Sequence, residues 1–282
     1  MNRRKILSFV VLLIGSFIMV TPFLWALSVS LQGPGLAYQN PPLIFRPPYM
    51  FSNYAKVFQE ANFLQYGLNS LFISAAAIVG TLLSASFAGF GFAKYDFKGS
   101  NALFFVALCT MMVPGNVMAI PLYIIWSKLG FMDTYVPLIL PHFFGSAFGI
   151  FLMRQCFKGL PGALYEAAII DGANPLMIYV RIYLPLAKPI LSVLAVNTFI
   201  GTWNDLFTPL IYLTTKSKYT LALGTLYVQN VYADNMEIQM ASAIIAMLPV
   251  IVVYMFAQKQ FVQGLATAAV KGSNKKIREE KL

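Results

Sequence analysis

Six stretches of the chain are apolar over a length that few soluble helices need: 6–31, 66–93, 102–126, 135–157, 189–213 and 240–262. A hydrocarbon core of ~30 Å takes about 20 helical residues to cross. Each stretch meets that length, so the pattern predicts an all-α integral membrane protein with six transmembrane helices. The first run, with Trp25 near its far end, is too long for a signal-peptide core and lacks a small-x-small cleavage site, and it is read as a retained helix. The polar, Pro-rich stretch 32–65, with Asn40-Pro41-Pro42 and Arg46-Pro47-Pro48, is too short to build its own core and is read as an external loop.

Within the apolar stretches, Pro114-Gly115, Pro121, Pro137, Pro141, Pro209 and Pro249 each interrupt the backbone hydrogen-bond ladder. Lipid cannot replace those bonds, so neighbouring helices or a water-filled cavity must. Packing kinks account for some of these prolines, and helices that line a passage account for others. Gly80, Ser84, Ala85, Ala88 and Gly89 form a small-residue face on the second helix that lets another helix approach closely.

Composition sharpens this picture. The chain is 59% hydrophobic, against roughly 45–50% for soluble domains. Its charges collect between the spans. With the N-terminus inside, 15 Lys and Arg fall on cytoplasmic segments and 5 on external ones (Arg46, Lys56, Lys128, Lys216, Lys218). That asymmetry predicts a multi-pass protein with both termini in the cytoplasm. It also accounts for the net charge of +10 without nucleic acid, because the basic residues follow alternate helix ends. Cys109 and Cys156 both lie in apolar runs and are read as packing residues.

One cytoplasmic segment, 158–189, does not fit a simple bundle. Leu160-Pro161 starts a short helix with Pro in its first turn. Asp171-Gly172 ends that helix in a turn, and Pro175 allows a second short helix, 176–183, which Pro185 is expected to stop. The result is a rigid knob suited to docking into a groove on a soluble partner.

The residues of that knob carry a resemblance. Glu166-Ala167-Ala168, two residues, Asp171-Gly172-Ala173, eight residues, Ile182-x-Leu184-Pro185, three residues and Pro189 is similar to the signature loop of membrane subunits of bacterial ATP-binding-cassette importers. Met112-Val113-Pro114, Ile120-Pro121-Leu122-Tyr123 and Trp203-Asn204-Asp205 resemble the carbohydrate-uptake branch. The short external loops and Gly264-Leu265 through Ala269-Val270-Lys271-Gly272 resemble the smaller maltose-type permease subunit. The resemblance implies a type I importer domain over 66–263, with a coupling loop at 159–189. It further implies a first helix and external loop (1–65) that wraps a partner, and a cytoplasmic tail (264–282). It makes Glu166, Ala167, Ala168, Asp171, Gly172 and Ala173 the ATPase-coupling residues, with the Glu166 carboxylate paired to a basic residue of the ATPase and Gly172 giving the turn. Implied partners are a second, larger permease subunit, two ATPase subunits that use ATP and Mg, and an external solute-binding protein. Taken singly, Glu166 and Asp171 would read as a solvated surface helix. The tail departs from the pattern at Ala268, where many relatives have Gly, and in the extension 273–282.

The chain carries no ATP-hydrolysing machinery of its own, since no Gly is followed by Lys as a phosphate-binding loop requires. His142 is the sole histidine, which excludes a His-Glu-x-x-His zinc site and leaves a packed or pore-facing residue. No cofactor or metal is expected on this chain. A secondary transporter driven by an ion gradient is the competing class. Such a protein would place ionisable residues near the midplane in repeated halves, and here Asp205 is the exception in helices nearly free of carboxylates. For cargo, Asn197, Trp203, Asn204 and Asp205 form a candidate substrate path, with an aromatic face beside amide and carboxylate acceptors as a sugar requires. Thr198 and Thr202 extend it. The alternative for the tripeptide is an interfacial Trp with polar capping neighbours.

Overall fold

The computed structural model of the chain describes residues 3–39, 44–45, 47–60 and 62–279, with side chains over 5–258 of these except at Glu60. The Asn40-Pro41-Pro42 run, Arg46 and the end of the tail, 280–282, lie outside the described residues. Every regular element among the described residues is helical. Four helices are long and apolar enough to cross a membrane, and six spans result when each of two sharply bent helix pairs counts as one.

The chain forms two compact units. The first comprises 1–68 and 219–249. Its helix α1, Arg3–Ser30, is apolar and exposed on all sides up to Leu24. Beyond it, the supposed loop contains a helix, α2 (Ser52–Glu60). Asn53 pins α2 to the end of α1 by donating from Nδ2 to the carbonyls of Ser30 and Gln32, both at 2.9 Å. The Ser30 and Tyr54 hydroxyls add a bond of 2.6 Å. The polar segment that follows Lys218 also contains a helix, α13, Leu221–Val231, capped by Thr220, whose Oγ1 accepts the Leu223 N–H at 3.3 Å. Its apolar face seats Gly224 directly against the Tyr66 ring.

The second unit, 69–218 and 250–282, holds most of the remaining elements. Helix α3, Phe63–Lys94, runs through both units. It meets α7, Ala147–Lys158, along the small-residue face read from the sequence. A Cβ placed at Gly89 would lie 2.6 Å from Met153 Cβ, and one at Gly149 would lie 2.8 Å from Ala85 Cβ. Such spacing is open only to residues without side chains, so the face fixes how closely these helices approach.

Three predicted spans are broken. The third consists of α4 (Ser100–Cys109) and α5 (Ala119–Lys128), with 3₁₀ turns on either side of an extended Val113-Pro114, and it bends by 91°. In the fourth, α6 (Val136–Ile139) passes into a 3₁₀ turn around Pro141, and Gly145 at φ 91° interrupts the helix before α7, although Val136–Lys158 still runs as one candidate span. In the fifth, Asn204–Leu206 separates Lys188–Trp203 from Phe207–Tyr212.

The segment 158–189 corrects one expectation. Pro185 does not stop the second short helix. The backbone stays helical from Pro175 to Leu186, through α9 (Pro175–Ile178), a π turn at Tyr179–Tyr183 and α10 (Leu184–Leu186). A proline ring clashes with the carbonyl four residues before it, and the wider π turn ahead of Pro185 relieves that clash. The bend of 77° comes at the buried Ala187, where α11 (Lys188–Trp203) begins. The last helix, α14, runs unbroken from Met236 to Glu279 through Pro249, so its backbone continues into the tail.

Candidate functional site

The knob is built on α8, Ala163–Ile170. Its inner side is sealed by Ala168, 8% exposed, and by Tyr165, which packs against the bundle core. Its outer side presents Glu166, Ala167, Ile169, Ile170 and Asp171 to water. Gly172, at φ 78°, closes the helix. Its N–H donates to the Ile169 carbonyl and that of Ala173 to the Ala168 carbonyl, both at 2.9 Å. These are the paired bonds of a Schellman cap, which requires the left-handed conformation at the glycine position. The next helix begins at once, because Asn174 Oδ1 accepts the Met177 N–H at 2.8 Å. The six residues of the signature therefore form one rigid turn-and-helix, with Ala173 half-buried beneath it.

What holds the knob was not legible in the sequence. Ile178, Tyr179 and Tyr183, from the arm after the turn, join Phe90 of α3 and Phe157 of α7 in one buried aromatic cluster. The Tyr183 ring lies 5.2 Å from Phe90, 5.6 Å from Phe157 and 6.3 Å from Tyr165. Lys94, the last residue of α3, sets its Nζ 4.8 Å above the Tyr183 ring and 5.7 Å above the Tyr165 ring. Each such contact contributes about 0.5–1 kcal/mol at an exposed site and about 2 kcal/mol when desolvated. Beside it, burial raises the Tyr95 phenol above its ordinary pKa, as does its hydrogen bond with Tyr165. Arg154, counted in the sequence as a cytoplasmic surface charge, is 9% exposed. It donates to the Phe92 carbonyl and to Asn101 Oδ1, both at 3.2 Å, and lies 4.0 Å from the Phe104 ring centroid.

The candidate substrate path is gathered around two adjoining cavities. One, of about 260 Å³, is polar, lined by Thr81, His142, Ser146, Asn197, Thr198, Thr202 and Asp205 with Leu194 and Gly201. The other, of about 370 Å³, is more apolar and includes Trp126, Phe207 and Tyr212. His142 and Asp205 line both. His142 Nδ1 bonds Thr81 Oγ1 at 3.1 Å, and its carbonyl accepts from Ser84 Oγ at 3.0 Å. Asp205 Oδ1 accepts the Thr208 N–H at 3.1 Å, in the first turn of α12, Phe207–Tyr212. Trp203 is 5% exposed and stacked on Phe199 at 5.2 Å, away from either lining. Asn204 is exposed and donates to the Ile200 carbonyl. Of the four residues singled out in the sequence, Asn197 and Asp205 share a cavity wall, whereas Trp126, Phe207 and Tyr212 supply the aromatic surface. No cluster of His, Cys, Asp and Glu suited to a metal ion occurs among the described residues.

Residues 80–267 match the family model of the binding-protein-dependent transport system inner membrane component. The chain is 36% identical over 223 residues to the arabinooligosaccharides transport system permease protein AraQ of Bacillus subtilis, covering 79% of each protein. It is 33% identical over 260 residues to the protein of the same name from Halalkalibacterium halodurans, covering 91% of this chain and 93% of that one. Among solved structures, it is similar to a chain of a bacterial ABC transporter involved in the import of the acidic polysaccharide alginate. The TM-score is 0.79 at 26% identity, over 92% of this chain and 98% of the other.

Proposed function

This chain belongs to the family of binding-protein-dependent transport system inner membrane components, and from that premise we propose that it is one permease of an ATP-driven carbohydrate importer. It pairs with a second, larger permease subunit to enclose a path for an oligosaccharide. Two separate ATPase subunits use ATP and Mg, and an external solute-binding protein delivers the cargo. The chain itself binds no cofactor and catalyses no hydrolysis. The observation that carries this reading is the outer side of α8. Ile170 is 86% exposed and Ile169 52%, beside the Glu166 carboxylate. An apolar ridge with an acidic centre on a rigid cytoplasmic knob suits a cleft of a soluble ATPase subunit. The two cavities support the cargo class: aromatic rings for the CH faces of a sugar, and carboxylate, amide and hydroxyl groups for its own hydroxyls. The relatives named for arabino-oligosaccharides supply the probe.

The test is uptake of radiolabelled arabinotriose by cells expressing the full complex, alongside co-purification of the ATPase subunits. Uptake is expected to stop with vanadate and to persist when the proton gradient is collapsed. The opposite pattern would replace the ATP-driven reading with the gradient-driven one. Glu166→Ala strands a charge in the ATPase cleft, at a cost of about 2–5 kcal/mol of docking energy. Gly172→Ala finds open space around its Cβ, so its cost is that of the left-handed backbone, roughly 1–2 kcal/mol. Both variants are expected to insert normally and to lose docking and uptake together.

A further inference from the structure

Lys94 is half-buried at the end of α3, and its ammonium is placed over two rings. Those rings come from opposite arms of the knob. Tyr165 precedes Glu166 on α8, before the Gly172 turn, and Tyr183 lies in the π turn after it. Tyr183 is wholly buried and its hydroxyl has no hydrogen-bond partner among the described residues, so its ring faces rather than its polar tip hold it in place. The neighbouring Tyr95 reaches the same Tyr165 through its hydroxyl. Lys94 and Tyr95 thus bind both arms of the knob to a single helix, and that helix contributes Thr81 to the wall of the polar cavity.

We propose that Lys94 is a positioning residue for transport: a cation–aromatic clamp that makes α3 move with the coupling loop, so that motion of the ATPase subunits reaches the cavity. This rests on the reading of α8 as the ATPase-docking helix. The loop is joined by the chain itself to α11, and α3 has no such covalent connection to the arms it touches. Ser86, through its 2.7 Å bond to the Tyr179 hydroxyl, and Phe90 hold the second arm to α3, and the ring faces of Tyr165 and Tyr183 beneath Lys94 add a non-covalent link that takes in the α8 arm as well. Removing the cation leaves the outer side of α8, where Glu166 stands, unchanged, and loosens only the hold of the loop on α3.

The experiment uses the full complex in membrane vesicles with a reporter cysteine at Gly201→Cys, in a background of Cys109→Ser and Cys156→Ala. Gly201 lines the polar cavity, and a Cβ there meets no atom within 4 Å. The rate of labelling by an aqueous maleimide is read with and without MgATP and vanadate, which trap the ATPase subunits closed. With Lys94 present, trapping is expected to change the labelling rate. In Lys94→Met that change is expected to fall about tenfold, while the ATPase subunits still co-purify. Lys94→Arg, which keeps a cation over the rings, is expected to restore it. An unaltered trapping response in Lys94→Met overturns the proposal. So does loss of docking in that variant, or failure of Lys94→Arg to rescue, because either would mark a general packing role. Absence of any trapping response with Lys94 intact also overturns it. Glu166→Ala run in parallel separates the two readings: retained docking and response there would refute the coupling role of α8 itself.

Discussion

Asp133 gathers four donors in the second unit, at a backbone φ of 55°. The N–H groups of Thr214 and Thr215 reach Oδ1 at 3.0 Å each, while the Thr215 hydroxyl at 2.7 Å and Lys218 Nζ at 2.9 Å reach Oδ2. The Thr215 backbone bond first, then the Thr215 hydroxyl and Lys218, hold the carboxyl well below the usual carboxylate range. A carboxylate whose folded pKa is depressed adds stability above its unfolded pKa and loses it as acid titrates the group. The contribution is therefore complete above about pH 4 and declines below it. Solvent screening keeps it to the order of 1 kcal/mol. In thermal unfolding, Asp133→Asn is expected to be less stable than the parent at pH 7, and that gap should narrow between pH 4 and pH 2. A gap independent of pH would show that the site works through shape alone. No short motif could have revealed it, since the partners lie 81 to 85 residues away along the chain.

At the scale of elements, hydrophobic length located four of the six spans well because bilayer thickness is a hard constraint. The same pattern was silent about the breaks. Pro114, Pro141 and Pro209 were read as interruptions, but whether a proline kinks, ends or merely lines a helix depends on which neighbours accept the freed carbonyls. Pro185 shows the opposite error, because a π turn absorbs it within a helix. Trp203 looked like a sugar platform by residue type, yet it stacks on Phe199, four residues back along the same helix, which is a neighbourhood the sequence does show. The knob was legible because each of its steps is local: Gly172 for the left-handed cap and Asn174 for the next helix start. The small-residue face was legible for the same reason, and it makes a sharp prediction. At Gly89 a side chain would meet Met153 and the Arg154 backbone N, the latter at 3.0 Å, so Gly89→Leu must part α3 from α7. Overpacking of this kind costs about 1–3 kcal/mol, whereas Gly91→Ala, with nothing within 4 Å, is expected to be neutral. Melting of the two purified variants side by side checks this. Equal stability would mean that the helices slide apart freely.

For the whole molecule, the 15 to 5 distribution of Lys and Arg fixes the expected orientation. An impermeant maleimide applied to intact cells should label Ser217→Cys and leave Ser273→Cys unlabelled until the membrane is opened. Labelling of position 273 from outside would invert the topology. The exposed apolar surface of α1 is of the kind that lipid or another membrane helix covers. The two membrane faces are also held by different physics. On the face expected to be external, Lys218 meets Asp133 through partly exposed charges, and attraction between such charges weakens as salt shortens its range to about 8–10 Å or less. On the face expected to be cytoplasmic, Lys94 and Arg154 rest on ring faces at 4.0 to 5.7 Å, where dissolved ions have little room to intervene. A bacterium that loses water under osmotic stress concentrates the electrolyte around its cytoplasmic surface. Because the knob is held by rings and not by carboxylates, its grip should survive that shock, so that nutrient uptake need not fail at the moment the cell is accumulating solutes.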